Sequence, residues 1–181
     1  MTEQAILEEI EKHDCKHVVL TGGEPMVALG IHHLAAAIRE TGRHITLESA
    51  GTIPPQDIAC DLVSLSPKLS NSTPDDSFTR SWRQRHEDRR WQPNVVRSWI
   101  DAYCFQLKFV VCSEDDIDEV ESMVAALGPR AEPQSVFLMP EGVTKETLRE
   151  RATWLAEICR QRGYRYGNRL QIELFGNTRG T

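Results

Sequence analysis

Ile6, Leu7 and Ile10 fall at helical spacing between residues 3 and 12, with acidic residues on the other side, and predict an amphipathic helix. The next apolar run is short. His17 to Leu20 (HVVL) stops at Thr21-Gly22-Gly23-Glu24-Pro25, and helical spacing resumes from Val27 to Glu40 through Leu34 and Ile38. That order reads as strand, glycine-rich turn and helix. His44 to Glu48 (HITLE) alternates as a strand does and ends at Gly51-Thr52, and Asp61 to Leu65 (DLVSL) repeats the pattern into Ser66-Pro67-Lys68.

From residue 69 to about residue 92 the chain turns to Ser, Asn, Thr, Pro, Asp and then Arg, with no apolar period to seal a core. We read it as a long surface excursion with some helix. Helical spacing returns near Val95 to Tyr103, followed by a strand at Phe105 to Val111 and a helix with Ile117, Val120, Val124 and Leu127 on one face. Ser135 to Met139 predicts another strand, Thr144 caps a helix to about Arg162, and Leu170 to Phe175 (LQIELF) predicts a closing strand. Alternating helices and apolar strands imply a parallel sheet with crossover helices, either doubly wound or part of a (β/α) barrel. The pattern opens on a helix and closes on a strand, so a first βα unit is expected to be absent from it.

Composition narrows the class. The 181 residues are 40% apolar and 27% charged, which suits one α/β domain spanning 1–181. A net charge of −6 argues against the broad basic field of a nucleic-acid binder or a membrane-surface protein. No apolar run reaches the roughly 18 residues that cross a bilayer, and the acidic start does not read as a secretion signal, so a cytoplasmic protein with a small-molecule ligand is expected. Cys15, Cys60, Cys104, Cys112 and Cys159 are scattered, the closest two eight residues apart, and read as reduced thiols rather than a zinc-type pairing. His32 and His33 are adjacent on a predicted helix and point in different directions, so a shared metal is not expected.

In parallel α/β folds ligands gather at the carboxyl ends of the strands. Those ends here carry Thr21-Gly22-Gly23-Glu24, Glu48-Ser49, Ser66-Pro67-Lys68, Pro140-Glu141-Gly142 and Gly176-Asn177. Gly22 and Gly23 let the backbone approach a ligand while Glu24 supplies a carboxylate, a set that could hold an ammonium group or simply form a tight turn. Glu48 could accept from ribose hydroxyls, and Ser66 with Lys68 could hold a carboxylate or hydroxyls; each taken alone also reads as an exposed polar pair. Lys108 lies in mid-strand and must point inward or at a partner. Arg80, Arg83, Arg85, Arg89 and Arg90 are interrupted by Glu87 and Asp88 and read as a solvated helical face. Trp82, Trp91, Trp99 and Trp154 read as packing residues rather than base-stacking ones.

VVLTGGEP after a short strand resembles the GGE motif of radical S-adenosylmethionine (SAM) enzymes. LESAGT, LSPKLSNSTP, QLKFVV, LMPEG and LQIELFGNTRGT narrow the resemblance to the 7-carboxy-7-deazaguanine synthase (QueE) family, over most of the chain from His17 onward. The resemblance implies a partial (β/α) barrel. It implies that Gly22, Gly23 and Glu24 contact the methionyl amino group of SAM, that Glu48 meets the ribose, that Ser66, Pro67 and Lys68 line SAM further, and that Thr21 faces a pterin substrate. It also implies radical conversion of 6-carboxy-5,6,7,8-tetrahydropterin to 7-carboxy-7-deazaguanine with loss of ammonia, using a [4Fe-4S] cluster, SAM and Mg²⁺. A homodimer, an electron donor such as flavodoxin, and a place in queuosine biosynthesis and tRNA modification follow from the same resemblance.

One departure stands out. The family holds its cluster with CxxxCxxC after its first strand and uses a nearby Thr for Mg²⁺, and this sequence contains no such motif. The cluster cysteines and that Thr are expected upstream of Met1, and this chain alone is expected to bind no cluster and to be inactive. A non-catalytic SAM- or purine-binding remnant, or another radical SAM enzyme, are the alternative readings.

Overall fold

The computed structural model describes residues 2–178. The last three residues of the closing motif, Arg179, Gly180 and Thr181, lie outside the described residues, as does Met1. Helix α1 (Glu3–Glu11) precedes strand β1 (His17–Leu20), and a 3₁₀ turn at Pro25–Val27 leads to α2 (Ile31–Glu40). The helix expected from Val27 therefore starts at Ile31. Gly30, at φ +85°, sits in a left-handed conformation that a continuous right-handed helix cannot pass through. Strands β2 (His44–Ser49) and β3 (Leu62–Leu65) follow, then the excursion, where residues 80–90 form α3 (Arg80–Arg90). The remaining elements are α4 (Pro93–Ala102), β4 (Cys104–Val111), α5 (Asp116–Leu127), β5 (Val136–Pro140), α6 (Lys145–Arg162), β6 (Arg165–Tyr166) and α7 (Leu170–Phe175).

The sheet is wholly parallel with strands in chain order, β1 to β6. When every right-handed crossover steps the same way, the helices collect on one face. Burial agrees with that arrangement. Along β4, Leu107, Phe109 and Val111 are buried, while Gln106 and Lys108, which flank Leu107, are only partly covered. Ile45, Leu47 and Ser49 of β2 are likewise buried, with Glu48 on the other side. One face thus packs the apolar core, with Ile38, Trp99 and Leu155 from the helices fully buried against it. The opposite face carries Glu48, Gln106 and Lys108, as the lining of a partial barrel does.

The closing strand expected at Leu170–Phe175 is instead helix α7. Of its alternating apolar residues only Ile172 is buried, whereas Leu170 and Leu174 are well exposed, so no apolar strand face exists. The last strand is β6, which pairs with β5 through Phe137 with Arg165 and Leu138 with Tyr166. Two residues are too few to display alternation. Gly176 and Asn177 accordingly leave the set of strand-end residues.

Trp99 is buried and Trp91 and Trp154 pack against the core, while Trp82 lies outside the core, 55% exposed, with its ring 6.2 Å from that of Phe78.

Candidate functional site

The turn after β1, the ends of β2 and β3 and the middle of β4 meet at one place. Glu24 caps the 3₁₀ turn by accepting from the Met26 amide at 3.3 Å, and its carboxylate also accepts from Ser49 Oγ at 3.0 Å and the Ala50 amide at 2.9 Å. The glycine turn is therefore tied to the end of β2. Ser49 is buried and in turn accepts from the Gly51 amide at 3.0 Å. Beside the two glycines an added Cβ would meet nothing within 4 Å, so their backbone borders open space.

Glu48 points to the polar face. It accepts from Lys108 Nζ at 3.0 Å and from Thr21 Oγ1 at 3.2 Å. The mid-strand lysine has thus found its partner two strands away. Lys68 Nζ donates to Ser66 Oγ at 3.3 Å. Its ammonium is held below the usual lysine range, chiefly by burial and then by Lys108, with Glu24 and Glu48 acting the other way.

Thr21, Gly22, Gly23, Glu48, Ser66 and Lys68 line one cavity of about 130 Å³, together with Ser49, Ala50 and Lys108. Glu24 braces its wall rather than lining it. Pro67 lies on a second cavity of about 400 Å³ with Lys68, Asn71, Val110, Cys112 and Glu141. Lys68 borders both, so the two spaces adjoin through its side chain. The combination of bare glycine backbone, one carboxylate and two ammonium groups suits a ligand that carries both charges and hydroxyls. Sequence reasoning assigned no role to Cys112, the residue after β4, or to Asn71, within LSPKLSNSTP, although both line the second cavity.

No group of three His, Cys, Asp or Glu residues fit to hold a metal exists among the described residues. Cys60 and Cys159 are buried, Cys15 and Cys104 exposed, and burial pushes the Cys60 thiol up to about 11. No helix among the described residues is long and apolar enough to cross a membrane.

No family model matches the chain. It is 43% identical over 181 residues to 7-carboxy-7-deazaguanine synthase of Rhodopirellula baltica, covering 99% of this chain and 69% of that protein. The enzyme of the same name from Halobacterium salinarum is 37% identical, with 98% and 72% covered, and that from Pyrobaculum aerophilum 34%, with 91% and 67%. Among solved structures, QueE from Escherichia coli superposes with a TM-score of 0.63 at 20% identity, covering 93% of this chain and 64% of that one. SuiB of Streptococcus suis bound to S-adenosylmethionine gives 0.59 at 15% identity, covering 97% of this chain and 44% of that one. This chain therefore spans about two thirds of the length of these synthases, and its open parallel sheet is the fold of both solved structures.

Proposed function

The chain belongs to the 7-carboxy-7-deazaguanine synthase family, and from that premise we propose that its strand-end cleft holds S-adenosylmethionine against a pterin substrate. The reaction is conversion of 6-carboxy-5,6,7,8-tetrahydropterin to 7-carboxy-7-deazaguanine and ammonia. One observation carries this reading: six residues picked out by motif, from three separate strand ends, line a single cavity.

When bound and given one electron by an external donor, S-adenosylmethionine would supply hydrogen-atom abstraction from the substrate. The chain's own residues do the rest. The backbone of Gly22 and Gly23 takes the methionyl ammonium, with Glu24 holding the turn through Ser49 and Ala50. Glu48 accepts from the ribose hydroxyls, and its bond from Lys108 fixes the carboxylate and balances its charge. Ser66 and Lys68 take the methionyl carboxylate, Pro67 continues the wall into the larger cavity, and Thr21 meets the pterin.

The described residues do not fit the family's [4Fe-4S] cluster or its Mg²⁺, because their thiols are dispersed over separate elements and no metal-holding group forms among them. A radical SAM carbon–nitrogen lyase of the cytoplasm, acting as a homodimer with an electron donor such as flavodoxin and feeding queuosine and tRNA modification, is the full assignment we propose.

A chimera tests it, with this chain in place of the matching segment of the Rhodopirellula baltica synthase. Given 6-carboxy-5,6,7,8-tetrahydropterin, SAM, Mg²⁺ and a reductant without oxygen, it is expected to form 7-carboxy-7-deazaguanine and release ammonia. A folded, SAM-binding chimera that forms neither would overturn the assignment.

A further inference from the structure

Strand β3 ends at Leu65, and the Ser66 amide beyond it still bonds the Ser49 carbonyl at 2.8 Å. Pro67 has no N–H with which to continue that ladder. Lys68 is therefore the next residue whose amide needs a partner, and it finds one 22 residues away, where the Arg90 carbonyl accepts from it at 3.2 Å. The Arg90 guanidinium returns the contact by donating to the Lys68 carbonyl at 3.2 Å. One residue at the end of α3 thus closes both backbone groups of Lys68, as a neighbouring strand would.

Arg90 is itself held from two sides. Its Nε donates to Glu87 at 2.7 Å and its Nη1 to Glu119 of α5 at 2.7 Å, and its side chain is only 16% exposed. A planar fork of N–H groups can serve two carboxylates and a carbonyl together, which the point charge of a lysine cannot. The Lys68 side chain leaves this clamp for the strand-end cleft, where its ammonium donates to Ser66 Oγ at 3.3 Å. An ammonium on a four-carbon stem has many rotamers, so the main chain at its root decides which space it reaches. Arg90 does not line that cavity and belongs to none of the strand-end motifs.

We propose that Arg90 is a positioning residue for the Lys68 ammonium: it fixes the main chain from which that side chain rises, and so sets how strongly the cleft holds the carboxylate of an amino-acid ligand. The proposal rests on the assignment of the methionyl carboxylate to Ser66 and Lys68. Through Glu119, the same clamp ties Lys68 to α5, the helix that follows the strand carrying Lys108. The excursion is thereby part of the binding site without contributing a side chain to the cleft wall.

A double-mutant cycle of Arg90→Ala and Lys68→Met in the whole chain tests it, read by calorimetric titration with two probes. One is S-adenosylmethionine; the other is 5′-methylthioadenosine, which lacks the amino-acid carboxylate and ammonium. Each single substitution is expected to weaken S-adenosylmethionine at least about fivefold and to leave 5′-methylthioadenosine unchanged. The double variant should lose no more than either single one, because Arg90 acts through Lys68. Thr73→Val removes a different bond to the Glu87 carboxylate, loosening the excursion without touching Lys68, and should bind both probes as the parent does. Each titration is run below the variant's own melting transition, and Arg90→Lys, which cannot span all three acceptors, replaces Arg90→Ala in the cycle if the latter fails to fold. Losses that add in the double variant, an equal loss for 5′-methylthioadenosine, or parent-like binding by the Arg90 variant where Lys68→Met is weakened would overturn the proposal alone. Parent-like binding by Lys68→Met, or no heat from the parent with S-adenosylmethionine, would overturn the carboxylate assignment and the proposal with it.

Discussion

Gly23 and Gly51 both follow strands, yet they are glycines for different reasons. A Cβ on Gly23 would meet nothing within 4 Å, whereas one on Gly51 would stand 2.8 Å from a Val96 methyl, at a φ of +71° that side chains rarely adopt. Gly51→Ala is thus expected to cost about 2 kcal/mol through backbone strain and overpacking, and Gly23→Val almost nothing. Chemical denaturation of the two variants checks this; equal loss in both would contradict it. The same residues explain what was legible in the sequence. TGGE, LESAGT and SPK stood out because a strand-end ligand site needs bare backbone, a carboxylate and a cation at fixed places. Lys108 stood out because a charge in mid-strand requires a partner, although nothing in the sequence named Glu48. Pro67 was grouped with Ser66 and Lys68, but it borders only the next cavity, which Lys68 shares with the first.

At the scale of elements, the excursion is anchored at its ends by buried Leu69 and by Trp91 against the core, and charge fastens it further. Glu119 of α5 accepts from the Ser70 amide at 2.9 Å, Ser70 Oγ at 2.6 Å and Arg90 at 2.7 Å, while the Lys68 amide donates to the Arg90 carbonyl and the Arg90 guanidinium to the Lys68 carbonyl, each at 3.2 Å. Both ends of the segment are therefore fastened beside Lys68. Burial tends to raise the Glu119 carboxyl, but the bonds from Ser70 and Arg90 outweigh it and hold the group below its usual 4.5. A lowered carboxyl pKa contributes stability that is present above the unfolded value and lost as pH falls through the folded one. Glu119→Gln should accordingly lower stability by about 2 kcal/mol at neutral pH, with the gap to the parent closing as the pH drops below about 4.5. Melting curves across that range read it directly; a gap independent of pH would contradict the latch. The excursion's polar composition gave its extent but not its fastening, since a bond between residues 70 and 119 leaves no local pattern. Residues 170–175 misled for a related reason. Period-2 spacing of Leu170, Ile172 and Leu174 is compatible with one turn and a half of helix when only Ile172 is buried.

At the scale of the molecule, β1 is an edge of the sheet among the described residues, and Val19, Val27 and Leu29 are exposed on it and on the turn beyond it. The fold class was legible because strand–helix alternation with strand-end polar groups admits few arrangements, and the chain-order topology confirms the barrel-like choice over a doubly wound sheet. The placement of the cysteines bears on cofactor loading. With the described thiols spread over separate elements, anaerobic reconstitution of this chain with iron and sulfide should leave less than about one iron per chain. About four irons, with an EPR signal that SAM perturbs, would show that the dispersed thiols do assemble a ligand set.

The central claim is that the ends of β1, β2 and β3 form one binding site for S-adenosylmethionine. Calorimetric titration of the chain with S-adenosylmethionine, beside its Gly23→Val variant, tests it most directly. One ligand per chain is expected, with affinity reduced at least about tenfold by a substitution that leaves the melting temperature unchanged. Heat of binding that is absent from the parent, or identical in the variant, would contradict it.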